Sequence, residues 1–498
     1  MTLDTDICYR ALATRDARFD GRLFVGVKTT GIYCRPICPA RTPRRENVVF
    51  FRSAAAAQEA GFRPCLRCRP ESSPDCGAWR GSSNTVARAL RLIEAGAMDE
   101  ADVEALATRV GVGERQLRRL FKAHLGASPV AVAQTRRVLL AKQLIHETRL
   151  SMADVALAAG FSSVRRFNET FQTLFDRPPA ALRRAGGAPA ASAGEELRLT
   201  LPYRPPYDWD GLIGFLALRA IEGVESVRPD RYARAIELDG EFGLLAVSPA
   251  PKDRLAVSIR FPKLSALPAI LARVRRIFDL SADPQAIGAH LALDPDLAWR
   301  VAARPGLRVP GAWDGFELAV RAILGQQISV PAATTLASRI AREHGVRLPE
   351  ALVAAEPGIT YAFPTASTLA GVDLSSLPMP RARSASIEAV ARESAREPAL
   401  WESPGEADEP VRKLRALPGV GEWTAQYIAM RALREPDAFP AADIGLQRAL
   451  ADGEGVRPST AALLARAEAW RPWRAYAALH LWTTPNHETG ARHDRAAA

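Results

Sequence analysis

Two cysteine pairs stand at ligand spacing, Cys34-x3-Cys38 and Cys65-x2-Cys68, with 26 residues between them. Each short loop can hold two sulfurs about 3.7 Å apart around one ion, so the four suit a tetrahedral thiolate site for zinc. Zinc keeps such sulfurs deprotonated at neutral pH, and the surplus negative charge leaves one of them nucleophilic. An inert zinc knuckle needs the same four ligands, so spacing alone leaves reactive and structural readings open. Cys8 and Cys76 have no partner at ligand spacing. A second kind of chemistry is offered near the other end, in Leu414-Arg-Ala-Leu-Pro-Gly-Val-Gly421. A Pro-Gly-x-Gly turn between helices exposes backbone N–H groups, here around Gly419 and Gly421, at a helix N-terminus suited to a DNA phosphate. Twenty-two residues beyond Gly421 stands Asp443, after an apolar loop containing Pro440. Its carboxylate either acts on a substrate or caps a helix beginning at Ile444.

The elements that would carry these groups differ along the chain. Residues 1–80 read as a small mixed domain with strands at Leu23–Val27 and Val48–Phe51. Residues 84–184 read as helical with an internal repeat: Leu106, Ala107, Gly111, Phe121 and Pro129 recur as Val155, Ala156, Gly160, Phe171 and Pro179, an offset of 49 to 50. Each copy fits helix, Gly-containing turn and second helix. Arg115, Arg118 and Arg119 in one copy, and Arg165 and Arg166 in the other, fall on exposed faces of the second helices, where a major groove is read. Ala185 to Gly194 is a small-residue linker. Beyond it, strands are expected at Leu197–Leu201, Tyr232–Leu238, Phe242–Ser248 and Leu255–Phe261, with helices over Gly211–Ile221 and about Ser265–Phe278. These make a small α+β unit over 196–284. From 285 to 498 the patterns are helical and no strand is expected.

Composition narrows the function classes. Of 498 residues, 48% are hydrophobic and 24% charged, which excludes a disordered chain and suits about three domains. The net charge of +11 is concentrated at the front: residues 1–80 and 81–185 each carry +6, and the remainder −1. A basic front end points to a polyanion, most often nucleic acid. No apolar run approaches the roughly 18 residues that span a bilayer, and the first residues lack the basic and apolar regions of a signal peptide. A cytoplasmic location is expected. All six cysteines precede residue 77, so an iron–sulfur cluster in the C-terminal part is excluded.

Three resemblances follow from these residues. Thr29-Thr-Gly-Ile-Tyr-Cys-Arg-Pro-Ile-Cys38, Arg45-Glu-Asn-Val48 and Ala60-Gly-Phe-Arg-Pro-Cys-Leu-Arg-Cys68 resemble the N-terminal domain of the Ada methylation-response protein. That resemblance implies a zinc site on Cys34, Cys38, Cys65 and Cys68, with Cys34 accepting a methyl group from a DNA phosphotriester. Arg35, Arg41 and Arg67 are phosphate-contact candidates there, or solvated surface charges. The repeated helical pair resembles the AraC-type DNA-binding domain. Phe316-Glu-Leu-Ala-Val-Arg-Ala-Ile-Leu-Gly-Gln-Gln-Ile-Ser329, the hairpin, Asp443 and Trp470-Arg-Pro-Trp-Arg-Ala-Tyr-Ala-Ala-Leu-His-Leu-Trp482 are together similar to the AlkA family of helix-hairpin-helix 3-methyladenine DNA glycosylases II.

The last resemblance implies a TBP-like α+β domain followed by an all-α glycosylase domain, with Asp443 catalytic and Trp423, Tyr427 and Trp482 lining the base pocket. Gln327 takes the position that fills the gap left by a flipped nucleotide, where the best-studied members have leucine. Trp470 and Trp473 are expected to pack rather than line the pocket. Bifunctional relatives carry a Schiff-base lysine two residues beyond the last hairpin glycine; here that residue is Trp423, so a monofunctional hydrolase is expected. The guanine methyltransferase signature Pro-Cys-His-Arg of full Ada proteins is absent, because no cysteine follows Cys76. The resemblances imply double-stranded DNA, alkylated and promoter, as partner, with RNA polymerase as a further partner, a monomer, one zinc and a monovalent cation at the hairpin. Two other readings remain: a transcription factor whose C-terminal domain only senses damaged bases, and a glycosylase with an inert zinc clamp.

Overall fold

The computed structural model describes residues 4–73, 84–183, 196–401 and 409–483. Cys76 and the linker Ala185–Gly194 lie outside the described residues. Packing divides the chain into two compact units, Met1–Tyr203 with Leu238–Gly243 and Ala250–Arg275, and Arg204–Glu237 with Leu244–Pro249 and Arg276–Ala498.

The first unit opens with α1 (Thr5–Ala13), N-capped by Asp4, and a four-stranded sheet of order β3-β1-β2-β4. Its strands are β1 (Phe24–Val27), β2 (Ile32–Cys34), β3 (Val48–Phe51) and β4 (Arg63–Pro64), with α2 (Ala54–Glu59) before the last. The expected strands are β1 and β3. Strands of two and three residues show no alternation to read, and β2 and β4 were not legible for that reason. Next come α3 (Asn84–Glu94), α4 (Ala97–Glu100), α5 (Val103–Arg109), α6 (Glu114–Leu125), α7 (Pro129–Glu147), α8 (Met152–Ala158) and α9 (Val164–Phe175). Asp102, Ser128, Ser151 and Ser163 each accept a backbone N–H at the start of α5, α7, α8 and α9. The repeat is physical: Gly111 and Gly160 both turn the chain with positive φ, 75° and 85°, and Phe121 and Phe171 are both fully buried. At Gly160 a Cβ would meet the Asp99 carboxylate at 2.2 Å, so the turn excludes larger residues.

A five-stranded sheet follows with order β5-β9-β8-β7-β6. Its members are β5 (Leu197–Pro202), β6 (Glu225–Arg228), β7 (Arg231–Leu238), β8 (Glu241–Ala250) and β9 (Arg254–Arg260), with α10 (Trp209–Ala217) after β5 and α11 (Leu267–Ile277) after β9. Four of these strands were expected: β5 and β9 alternate in burial, β7 and β8 are buried along most of their length, and the edge strand β6 is half-buried with no alternation. Helix α10 ends four residues short of the expected Ile221.

The remaining elements are α12 (Pro284–Leu291), α13 (Pro295–Ala303), α14 (Gly315–Leu324), α15 (Val330–His344), β10 (Val346–Arg347), α16 (Glu350–Ala355), β11 (Tyr361–Ala362), α17 (Ala366–Ala370), α18 (Arg381–Arg396), α19 (Glu409–Arg415), α20 (Glu422–Arg431), α21 (Ile444–Ala449), α22 (Thr460–Ala467) and α23 (Arg474–Thr483). The expectation of no strand beyond 285 is corrected by β10 and β11, which pair antiparallel as Val346 with Ala362 and Arg347 with Tyr361. Two-residue strands are made by tertiary pairing and leave no period in the sequence. Helix α14 is apolar on nearly every face and forms the hub of this part, packed by α15, α18 and α20. Among the described residues no helix is long and apolar enough to cross a membrane.

Candidate functional site

The four expected cysteines converge. Their sulfurs all lie within 4.8 Å of one another, with Cys34 at the end of β2 and the others on flanking loops. Backbone N–H groups of Arg35 and Arg67 donate to the sulfurs of Cys68 (3.3 Å) and Cys65 (3.4 Å). Contact with Cys34 brings the Cys38 thiol down to about 7, while the same contacts, that with Cys38 foremost, push Cys34 up. Thiols so close cannot ionise independently, and a central dication resolves the conflict. The donor set and its geometry fit zinc. Cys38, Cys65 and Cys68 are buried, whereas Cys34 is half-buried and is the ligand that solvent reaches. Cys8 packs instead against Ala11 and Leu23, away from the cluster.

One arginine assignment is corrected. Arg35 is buried; its Nε donates to Asp20 Oδ1 at 2.8 Å and its Nη1 to the Cys68 carbonyl at 3.2 Å. It is neither a free phosphate contact nor a surface charge but an internal brace of the ligand loop. Arg41 and Arg67 are exposed. On the second helices of the two repeat copies, Arg115, Arg118 and Arg119 of α6 and Arg165 and Arg166 of α9 are all exposed. The opposite faces bury Leu117, Phe121 and Leu125, and Phe167, Phe171 and Phe175. Arg118 and Arg165 bond Glu114 and Glu169 one turn away, exposed pairs that contribute little to stability.

Asp443 gathers the aromatic residues expected around it. Its Oδ2 accepts the indole N–H of Trp423 at 2.8 Å, and its Oδ1 accepts that of Trp482 at 2.9 Å. It is also the N-cap of α21, with Oδ1 accepting Leu446 N at 3.0 Å. Capping and the two indole bonds coexist because the half-buried carboxylate's two oxygens share the three donors. Tyr427 lies parallel to Trp423, ring centroids 5.2 Å apart at 8°, and tilted at 60° to Trp482. Its hydroxyl accepts from Arg431 Nη1 at 2.6 Å. Burial raises the phenol pKa, but the neighbouring Arg431 and Arg219 outweigh it and the net shift is downward. Trp470 is buried, edge-on to Phe439 and bonded to Asp294 at 2.7 Å, and Trp473 sits edge-on to Tyr476; both pack, as expected.

The hairpin runs from α19 to α20. Gly419 has φ of 76° and lies against α18, where an added Cβ would meet Ser386 Oγ at 1.9 Å. Gly421 is the N-cap of α20 and no side chain caps that helix, so its first N–H groups remain available to an anion. Gln327 is exposed in the α14–α15 loop with a left-handed φ of 59°, a conformation uncommon outside glycine. Sequence reasoning missed its neighbour: Gln326 Nε2 donates to Gly419 O (2.9 Å) and Thr424 Oγ1 (3.0 Å), tying the loop to the hairpin. Arg431, which fixes the Tyr427 hydroxyl, was also missed. A glutamine in a loop and an arginine in a helix carry no local signal of such contacts.

Comparison with known proteins finds similarity in each part of the chain. Residues 7–71 match the metal binding domain of Ada, residues 106–185 a helix-turn-helix domain and residues 198–314 the AlkA N-terminal domain. The chain is 36% identical over 293 residues to DNA-3-methyladenine glycosylase 2 of Escherichia coli, covering 57% of this chain and 96% of that one. It is 37% identical over 172 residues to the bifunctional transcriptional activator/DNA repair enzyme Ada of the same organism, covering 34% of this chain and 47% of that one. A solved 3-methyladenine DNA glycosylase from Archaeoglobus fulgidus shares the fold, with a TM-score of 0.50 and 23% identity over 57% of this chain and 96% of its own. One relative spans both halves: the "Probable bifunctional transcriptional activator/DNA repair enzyme AlkA" of Mycobacterium tuberculosis is 44% identical over 488 residues, 97% of each chain. An Ada-like metal domain, a helix-turn-helix region and a glycosylase fold in one chain, matched end to end by that relative, place the protein in the family of bifunctional AlkA transcriptional activator/DNA repair proteins.

Proposed function

We propose that the chain is a DNA alkylation repair protein with two reactive centres, a glycosylase centre at Asp443 and a methyl-acceptor centre at Cys34. The observation that carries the first is a carboxylate bonded to two indole N–H groups at an aromatic cluster, with one of those indoles on the helix that follows the hairpin and has no side-chain cap. The damaged nucleotide is taken out of the stack at a cost of a few kcal/mol. An alkylated purine is cationic, favours indole faces and leaves readily. As the N-glycosidic bond breaks, positive charge grows on the sugar; Asp443 stabilises it and orients the water whose oxygen joins C1′. Gln327 fills the gap left in the duplex. With Trp423 where a Schiff-base lysine would stand, the reaction ends at the abasic site, and the enzyme is a monofunctional DNA-3-methyladenine glycosylase II.

At the second centre, the Cys34 sulfur attacks the methyl carbon of a phosphotriester, the methyl–oxygen bond breaks, and a phosphodiester is left. Zinc, when bound, holds the four sulfurs deprotonated; the acceptor reacts once per molecule. Arg115, Arg118, Arg119, Arg165 and Arg166 carry α6 and α9 into successive major grooves of promoter DNA. The proposed boundaries are 1–80, 84–184, 196–284 and 285–498. A monomer, a monovalent cation at the hairpin and an RNA polymerase contact complete the reading. The test is incubation of the whole protein with methylated duplex DNA, followed by chromatography of released bases and mass spectrometry of the protein. Free alkylpurine with one added methyl on Cys34 is expected; absence of both overturns the reading.

A further inference from the structure

Helix α7 grips the second cysteine pair at both ends. Lys142 has a side chain with no solvent exposure, and its Nζ donates to the Cys65 carbonyl at 2.9 Å and to Glu71 Oε2 at 2.7 Å. Glu147, five residues on, accepts from Arg69 Nη2 at 3.3 Å. Arg69 directly follows Cys68, holds a left-handed φ of 51°, and also bonds Glu71 at 3.1 Å. Burying an ammonium is costly, and a buried pair is weak grounds for stability in itself. What this one achieves is geometric: it attaches the Cys65–Cys68 loop to a helix more than sixty positions away. That helix also joins the α5–α6 unit to the α8–α9 unit.

We propose that Lys142 and Glu147 are positioning residues that make the Cys65–Cys68 ligand loop part of the helix joining the two helix-turn-helix units. The geometry of the metal centre and the spacing of the two recognition helices are then set together. The proposal rests on the zinc reading of the four cysteines.

The test uses the full chain as wild type, Lys142→Met, Lys142→Arg and Glu147→Gln. Zinc content of the wild type is read first; a chain that holds none overturns the zinc reading and the proposal with it. Zinc release to a chromogenic chelator and the visible spectrum of the Co²⁺-loaded protein follow, together with hydrogen exchange over residues 129–147. Lys142→Met is expected to release zinc at least tenfold faster and to shift the cobalt bands, with Lys142→Arg partly restoring both. Removing zinc is expected to raise exchange in α7 of the wild type and to change it little in Lys142→Met. Glu147→Gln keeps the buried pair, so it remains folded should Lys142→Met fail, and a smaller shift in the same direction is expected. Folded variants that release zinc within twofold of wild type with unshifted cobalt bands overturn the proposal.

Discussion

Asp443→Asn separates the two things this residue does. Asparagine is as good an N-cap as aspartate, so its Oδ1 can keep Leu446 N and the Trp482 indole. Its amide nitrogen then faces the Trp423 indole N–H, where Oδ2 now accepts at 2.8 Å, and two donors oppose each other. Losing one charge-assisted bond costs ~1.5–3 kcal/mol of stability. Removing a unit charge ~4 Å from a developing sugar cation, at an effective dielectric constant of ~20, costs ~4 kcal/mol of transition-state stabilisation. That is about a thousandfold in rate. The assay is single-turnover release of 3-methyladenine and 7-methylguanine from alkylated duplex, with DNA affinity measured alongside. Affinity is expected to hold within a few-fold, since little contact area changes. Asp443→Ser, which keeps a cap but reaches neither indole, is expected to be at least as slow. Single-turnover rates for Asp443→Asn within threefold of wild type would leave Asp443 as a helix cap alone.

Other perturbations address the remaining assignments. Cys34→Ser is expected to abolish methyl uptake with weaker zinc retention, and Cys8→Ser to leave uptake unchanged; a parallel fall in base excision for Cys34→Ser would show that the two chemistries are not independent. Methylating Cys34 takes the formal charge of the centre from −2 to −1, removing a repulsion of ~1 kcal/mol at ~4 Å in water and several-fold more in a partly buried interface. Binding isotherms of the full chain at matched salt are therefore expected to show tighter promoter binding after methylation, and equal affinities would remove the switch. Gly419→Ala places a Cβ against Ser386 at a left-handed φ and is expected to weaken DNA binding measurably, whereas Gly421→Ala, with open space around it, is expected to act mildly. His480 is held down to about 4 by burial, with Arg300 and Arg304 adding to it. The unfolded chain takes up that proton near pH 6.5 and the folded one only near 4, so stability falls as pH drops through this window, by ~3 kcal/mol. Acid unfolding of His480→Gln should lack that part of the slope; identical slopes would refute the assignment.

Much of this protein is written locally. The short spacing within each cysteine pair, the alternation in β5 and β9, and the helical pattern within each repeat copy around buried Phe121 and Phe171 depend on neighbours a few positions apart. Such patterns survive in the sequence because a helix or strand must present one face to a core wherever it lies. The resemblances read from them extended to Asp443, Trp423, Tyr427 and Trp482. What no local pattern carries is the partner of a polar side chain. Asp443 reads alone as a cap, and only folding brings it two indoles from 20 and 39 positions away. Arg35 reads as a phosphate ligand until Asp20 claims it, and Gln326 is one of two like residues until Gly419 does. Glu225, Arg234, Glu317 and Arg321 look like surface charges, yet they form a buried network between β6, β7 and α14. Burying a charge is tolerated only where the fold supplies its counter-charge, and the fold chooses that partner from anywhere in the chain. Residue types and periods were therefore decided by the sequence, and the pairings that make the sites were decided by the tertiary structure.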